Sequence, residues 1–357
     1  KEGDVVKVVS MRDMPDVNCG LKTVYYLHIP RLYRPAVRCL VNRRSSRSHS
    51  GSVCLVTGKL HLLASLLMTS RYYVVAGAHI GEDIEIILRA VSEIHTVKRH
   101  LHHILSQGIA PSFWRAPTDN DWGNNAHKRL NAWRVAFDNS RVTSATLVKE
   151  GDVVKVVSMR DMPDVNCGLK TVYTVYGDGT LGVTESLVTH ADARIPELMR
   201  FGTSIAMPKE YDNFTWYGRG PWENYSDRKH SSFVGVYSGK VADQYYPYIR
   251  PQESGNKTDV RWAELTDKDG FGIRVVGEGL LNVSALDVTP EALDPGMDKH
   301  NMHQNDVWPD AWNVYLNVDL AQRGLGGDNS WGAAPHAPYI LTPKDYSYTY
   351  YLTPVTK

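Results

Sequence analysis

The chain has few cysteines, no long apolar run and no excess of either charge. Its four cysteines, Cys19, Cys39, Cys54 and Cys167, include no CxxC pair. Such spacing supports neither a zinc site nor a disulfide framework. The apolar stretch Leu62–Met68 falls well short of the about 18 residues of a membrane span, and it is not placed like a signal peptide. A cytoplasmic location is therefore favoured. Lysine and arginine number 40 against 39 aspartates and glutamates, so nothing global points to nucleic acid or to an acidic membrane surface. There is no GxSxG elbow, no GK[ST] phosphate loop and no HExxH pair. Gly277-Glu-Gly279 opens a dinucleotide-type glycine pattern that fails at Asn282.

Two local absences are sharper. No acidic residue stands between Asp16 and Glu82, and none of the nine tryptophans precedes Trp114. The basic, serine-rich run Arg43-Arg-Ser-Ser-Arg-Ser-His49 lies inside that gap. Without aromatic platforms beside it, the run reads as a solvated or disordered insert more readily than as a nucleic-acid groove. The compositional break falls near residue 70, which divides the chain into an atypical, poorly ordered segment 1–70 and a main domain 71–357.

What is present begins with a repeat. Lys1–Tyr25 and Lys149–Tyr173 are identical letter for letter. Solenoid repeats diverge and recur more than twice, so a single perfect copy points to duplication or recombination. The second copy has a coherent context. Thr171–Tyr176 alternates as a strand, Gly177-Asp-Gly179 makes a turn, and Leu181–Val188 returns. The first copy has the same strand propensity but a different successor, which predicts an edge position or poor order. The chain begins with Lys1 and not Met, which fits a fragment or a processed product.

Tyr72–Ala76 reads as a strand, and Glu82–His103 fits either a helix or two short strands. His95, His100, His102 and His103 sit beside Lys98 and Arg99 without a carboxylate, a weak case for metal. Asp119-Asn-Asp121 resembles the start of a calcium loop, but the place for its closing glutamate holds Leu130, so a turn with Asx hydrogen bonds is expected. His300 and His303, near Asp298 and Asp306, are a second weak metal candidate. Val260–Thr266, the turn Asp267–Gly270 and Phe271–Val276 form a hairpin, and Asn313–Leu320 and Tyr346–Leu352 alternate as strands. Many short strands at regular spacing predict an all-β sandwich.

Two glycine-rich aromatic stretches carry the candidate chemistry. Trp216-Tyr-Gly-Arg-Gly-Pro-Trp-Glu-Asn-Tyr-Ser-Asp-Arg228 reads as a shaped loop, since Gly218, Gly220 and Pro221 disfavour helix and long strand. Its rings and charges suit either a sugar-facing surface or a buried corner. Gly324-Leu-Gly-Gly-Asp-Asn-Ser-Trp-Gly332 places Asp328 and Asn329 beside Trp331. A flat apolar ring with polar neighbours matches the C–H face and hydroxyl rim of a pyranose. A glycine turn capped by a core tryptophan fits the same letters.

Taken in order, FWRAPTDND, WYGRGPWENYSDR, YIRPQESGN and GLGGDNSW resemble the C-terminal region of glycoside hydrolase family 2 β-galactosidases, which in two-chain members is a separate small subunit. The resemblance is specific from about Ile109 onward. It implies a large antiparallel β-sandwich of the galactose-mutarotase-like supersandwich type. It also implies that Trp331, with Asp328 and Asn329 beside it, faces the substrate at the mouth of a (β/α)8 barrel. That barrel, a preceding domain or a large subunit, would carry the two glutamates of retaining hydrolysis, roughly 5 Å apart. No catalytic carboxylate is assigned to this chain, and Glu223 is expected to be structural. The resemblance implies divalent (Mg or Ca) and sodium ions in the complete enzyme and none in this chain. The implied substrate is a β-galactoside such as lactose. A stand-alone carbohydrate-binding module is the alternative. An aldose epimerase would need catalytic His and Glu motifs that do not occur here.

Overall fold

The computed structural model describes the backbone of residues 5–14 and 19–28, and backbone with side chains for 104–190, 195–297, 302–329 and 331–356. The boundary near residue 70, the basic run, the Tyr72–Ala76 strand, Glu82–His103 with its histidines, and Asp298 and His300 lie outside the described residues. The chain divides into two compact units, Lys1–Val56 and Thr57–Lys357.

In the first unit β1 (Val5–Met14) and β2 (Cys19–His28) form a two-stranded antiparallel sheet. The second unit is built on antiparallel pairing throughout. Its strands are β3 (Ala110–Ser112), β4 (Arg141–Glu150), β5 (Val153–Met162), β6 (Cys167–Val175), β7 (Leu181–Thr189) and β8 (Arg200–Pro208). They continue as β9 (Asn213–Gly220), β10 (Phe233–Lys240), β11 (Lys257–Thr266), β12 (Gly272–Leu286), β13 (Asn313–Gln322) and β14 (Tyr346–Val355). The main order is β10-β9-β11-β12-β14-β7-β6-β5-β4.

The long strand β12 is where the sheet divides. Gly272–Gly277 pairs with β14, while Asn282–Leu286 pairs with β13, which continues through β8 to β3. One strand thereby feeds two layers, and their inner faces meet. Phe201 of β8 packs on Tyr346 and Tyr348 of β14, and Thr203 bonds the Tyr350 hydroxyl at 2.8 Å. β13 is buried over most of its length, as a strand between layers must be. The outermost β4 is largely exposed and carries Arg141, Lys149 and Glu150, charges that discourage further edge pairing.

The sandwich and the hairpin expected around Asp267–Gly270 are present. Asp267 N–H donates to the Phe271 carbonyl at 2.8 Å, and Gly270 takes a positive φ of 82°. The second copy of the repeat lies inside the sheet, β5 and β6 flanked by β4 and β7. The first copy pairs with itself in the same register. Met14 faces Cys19 as Met162 faces Cys167, and Val6 faces Leu27 as Val154 faces Val175.

Two local expectations are corrected. Trp216–Gly220 is the end of β9 and not loop: β10 pairs with the strand as far as Gly220, and β11 pairs with it as far as Tyr217. Gly218 is there for close packing: a Cβ on it would fall 2.7 Å from Val260. Asp119–Gly123 is the short helix α1 and not an Asx turn. The Thr118 side chain accepts from Asp121 N–H and the Asp121 carboxylate accepts from Thr118 N–H, the two halves of a capping box.

Candidate functional site

Three glycines with positive φ shape the loop after β13. Gly326, Gly327 and Gly332 adopt φ of 72°, 108° and 80°, a region that side chains with a Cβ resist. The loop therefore doubles back on itself. A Cβ on Gly326 would lie 2.4 Å from the Ala333 carbonyl, so the two limbs touch through backbone. The Asp328 carboxylate meets His336 Nε2 across the same gap. Asn329 Oδ1 accepts from the Trp331 N–H at 2.9 Å. Trp331 stands near the tip, 87% exposed. The surface reading of this ring is the one the structure has, and a core role is excluded.

The sequence candidates Trp331, Asp328 and Asn329 thus share one loop. Only the ring is wholly presented outward. Asp328 and Asn329 each use one side-chain oxygen to hold the loop's shape.

Beneath the loop lies a buried charge cluster. Arg115, Asp121 and Arg323 are all fully buried. Asp121 accepts from Arg115 at 3.0 Å and from Arg323 at 2.9 Å. Arg115 also donates to the carbonyls of Arg323 and of Gly324, the latter at 3.0 Å. Arg323 reaches Glu197 at 3.3 Å, which brings the four charges to balance. Burying charges without such pairing costs several kcal/mol per ion. The cluster fixes where β13 ends and where the tryptophan loop begins.

Asp227 sets the next two residues. Its carboxylate accepts from Leu325 N–H at 3.0 Å and Gly326 N–H at 2.8 Å. Gly324 is needed because a Cβ there would fall 2.5 Å from the same carboxylate. Gln322 of β13 contacts Glu253 at 3.4 Å and Asn256 at 3.3 Å, and Glu253 N–H donates to the Ala116 carbonyl. Burial pushes the Glu253 carboxyl up to about 7, against the pull of Arg200 and Arg115. At 6% exposure it packs as part of this frame. The four motifs, spread over more than half the chain, therefore converge under one loop.

Glu223 is held on three sides. Arg228 donates to it at 2.6 Å, Gly255 N–H at 2.8 Å, and the Tyr248 hydroxyl also donates to it. A carboxylate so engaged ties Arg228, Tyr248 and Gly255 together at one corner. The remaining charges of its motif do not all pair with one another, and Arg219 turns to Asp259 and to the carbonyls of Lys229 and Ser232. His303 and Asp306 form a helix-start cap, with His303 N–H donating to Asp306 at 2.8 Å. Among the described residues no group of three or more His, Cys, Asp or Glu gathers where it could hold a metal ion. A crevice lined by Pro117, Trp122, Arg250, Pro251, Pro295 and Met302 has room for about one water, too little for a sugar ring. Exposed aromatic rings also stand at Trp222, Phe233, Trp308 and Trp312.

Sequence reasoning missed the support of the loop. In sequence Asp121 reads as a turn residue, and the partnership of Asp227 with a segment nearly a hundred residues away leaves no local trace. The signal available was the clustering of Arg115, Asp121 and Asp227 inside the four quoted motifs.

No helix among the described residues is long and apolar enough to cross a membrane. In sequence the chain is 36% identical over 253 residues to a β-galactosidase of Priestia megaterium, covering 71% of this chain and 24% of that one. It is 35% identical over 232 residues to a β-galactosidase of Lactobacillus delbrueckii subsp. bulgaricus, covering 64% and 22%. The chain thus spans about a quarter of the length of these relatives. Among solved structures, galactose 1-epimerase from Lactobacillus acidophilus NCFM aligns with a TM-score of 0.36 at 8% identity, over 59% of this chain and 66% of that one. The family described as the β-galactosidase small chain matches residues 81–352. With three quarters of its length inside that match, the chain belongs to the β-galactosidase small-chain family.

Proposed function

We propose that this chain completes the substrate site of a retaining β-galactosidase of the glycoside hydrolase family 2 type, acting on terminal β-D-galactosides such as lactose. The observation that carries the reading is the presentation of Trp331. A large apolar ring left 87% exposed costs stability, yet an elaborate buried frame holds it out. A ring so held offers its face to the C–H surface of a galactosyl group.

Bond cleavage belongs to the other part of the enzyme. Retaining hydrolysis needs one carboxylate as nucleophile and a second as acid and base, roughly 5 Å apart. Glu223 and Glu253 are each committed to internal contacts, and neither is offered as such a group. A (β/α)8 barrel, on a large subunit or a preceding domain, supplies the pair. The exposed rings of Trp222, Phe233, Trp308 and Trp312 are surfaces such a partner would cover. The divalent and sodium ions implied by the family resemblance are placed in the complete enzyme, with none assigned to this chain.

The experiment is Trp331→Ala in the enzyme assembled with its barrel chain. The expected result is a Michaelis constant for lactose several-fold higher, with an unchanged thermal transition. Loss of a ring contact worth about 1 kcal/mol corresponds to such a change. An unchanged Michaelis constant would refute the substrate role. Binding of galactosides by this chain alone, with affinity intact in the absence of any barrel, would favour the binding module instead.

A further inference from the structure

We infer that His336 is a positioning residue for Trp331, acting through Asp328 as a clasp across the neck of the loop. This rests on the reading of Trp331 given above and adds a residue that carries no ring to the substrate.

The loop from Gly326 to His336 has three closures. Gly326 meets the Ala333 carbonyl through backbone, and Gly332 meets Gly123 and Asn124 through backbone. Both are fixed by the absence of side chains and do not respond to solution conditions. The third closure is the contact of His336 Nε2 with the Asp328 carboxylate. It joins the residue three positions before Trp331 to the residue five positions after it, so it sets the span of the segment that carries the ring. On the chain side Asp328 is followed by Asn329, whose side chain holds the Trp331 N–H. Asp328 is bonded directly to Asn329, so a shift of Asp328 moves the residue whose side chain holds the Trp331 N–H.

The clasp is titratable. The Asp328 carboxylate, by its hydrogen bond and then its charge, raises the His336 pKa above the ordinary imidazole value, and Asp227 adds to the same direction. The sign follows from that. Below the raised value His336 is a cation and the pair is an ion pair. As pH rises through it, the imidazole becomes neutral and the clasp loosens. Both side chains are solvent-exposed, so the effect on the ring is graded and not a switch.

The test labels the chain with 5-fluorotryptophan and follows the Trp331 fluorine resonance, assigned by its loss in Trp331→Phe, between acid and mildly alkaline pH. The expected result is one inflexion above the ordinary imidazole range. His336→Gln and Asp328→Asn should each flatten it, with thermal transitions unchanged because both groups are exposed. In the enzyme assembled with a barrel chain, the Michaelis constant for nitrophenyl galactoside should rise about two- to fivefold through the same inflexion, with kcat flat. His336→Gln should hold the higher value at all pH. A Trp331 resonance that ignores pH, or that titrates equally in His336→Gln, overturns the clasp. A titrating resonance with a flat Michaelis constant leaves the clasp standing and overturns the substrate role of Trp331.

Discussion

Gly123 and Gly332 face each other so closely that a Cβ on Gly123 would fall 2.6 Å from the Gly332 Cα, and one on Gly332 would fall 2.4 Å from Gly123. Neither residue has room for a methyl group. Gly123→Ala should push the Trp331 limb outward and destabilise the chain by about 1–3 kcal/mol, the usual range for overpacking. Gly332→Ala should cost more, because its φ of 80° also resists a side chain. Urea unfolding of the two variants checks the order. Equal and negligible losses would mean that the loop rests elsewhere.

Asp121 sits between two buried guanidinium groups, so its charge is hard to replace. Asp121→Asn keeps the shape and removes the anion. The expected loss is about 3–5 kcal/mol, as for a buried pair broken on one side. Asp227→Asn is the comparison. It sits at the loop and binds two backbone N–H groups, with no cation among the described residues in hydrogen-bond contact, so its loss should be smaller, about 1–3 kcal/mol. Chemical denaturation separates them, and equal losses would show that the Arg115–Asp121–Arg323 charges are not coupled.

Glu185 lies across the inner face, with Thr171 on one side and Tyr348 on the other in the same rung of β6, β7 and β14. Its Oε2 accepts from Thr171 at 2.9 Å, while its Oε1 and the Tyr173 hydroxyl have no partner among the described residues. Burial pushes the Glu185 carboxyl up to about 8, against the Thr171 hydrogen bond and the Arg160 charge. Its ordinary value is 4.5, so the folded chain keeps a proton that the unfolded chain releases. Stability should therefore fall as pH climbs from about 4.5 to about 8 and level off beyond. Glu185→Gln carries a permanent neutral amide, and should lose less stability between pH 5 and 7.5 by an amount on the order of a few kcal/mol. Glu253, also raised, remains in both proteins and cancels in the comparison. Parallel melting-temperature profiles would show that Glu185 is ionised in the fold.

The purified chain alone should not hydrolyse nitrophenyl galactoside. Glu223→Gln should lower its stability by about 1–3 kcal/mol through the contacts with Arg228, Tyr248 and Gly255. Turnover by the rigorously purified chain, lost in Glu223→Gln, would place a catalytic carboxylate here after all.

The sandwich was legible because alternation survives wherever one face of a strand is wet. β6, β7, β11 and β14 all show it. β13 alternates in its letters too, but there the polar half is not wet: Asn317 and Asp319 are buried between layers and paired with Ser284 and Arg200. The shared span of β12 was not legible at all: a strand that changes partners midway has no local signature. At the site, Trp331 and its glycines announced themselves through residue type. The supporting Arg115, Asp121, Asp227 and Arg323 did not, because an ion pair that closes over two hundred residues appears in sequence as isolated charges. His336 was overlooked because a histidine beyond a loop gains its meaning only from what the loop brings back to it.

The matching register of the two identical hairpins has a kinetic meaning. The place between β4 and β7 accepts a strand pair that this chain carries twice, and up to Tyr25 or Tyr173 no side chain tells one from the other. What decides is tether length. The second copy needs only short connections to reach both neighbours, whereas the first must close a loop of more than a hundred residues. Each doubling of a flexible loop costs only about 0.6 kcal/mol in closure entropy. From a two-residue turn to a loop of that length is about six doublings, so exchanged pairing is disfavoured by about 3–4 kcal/mol and competes only transiently during refolding. Refolding from denaturant becomes a contest between twins, and deleting 1–28 should remove the slower competitor and sharpen the return to a single folded species.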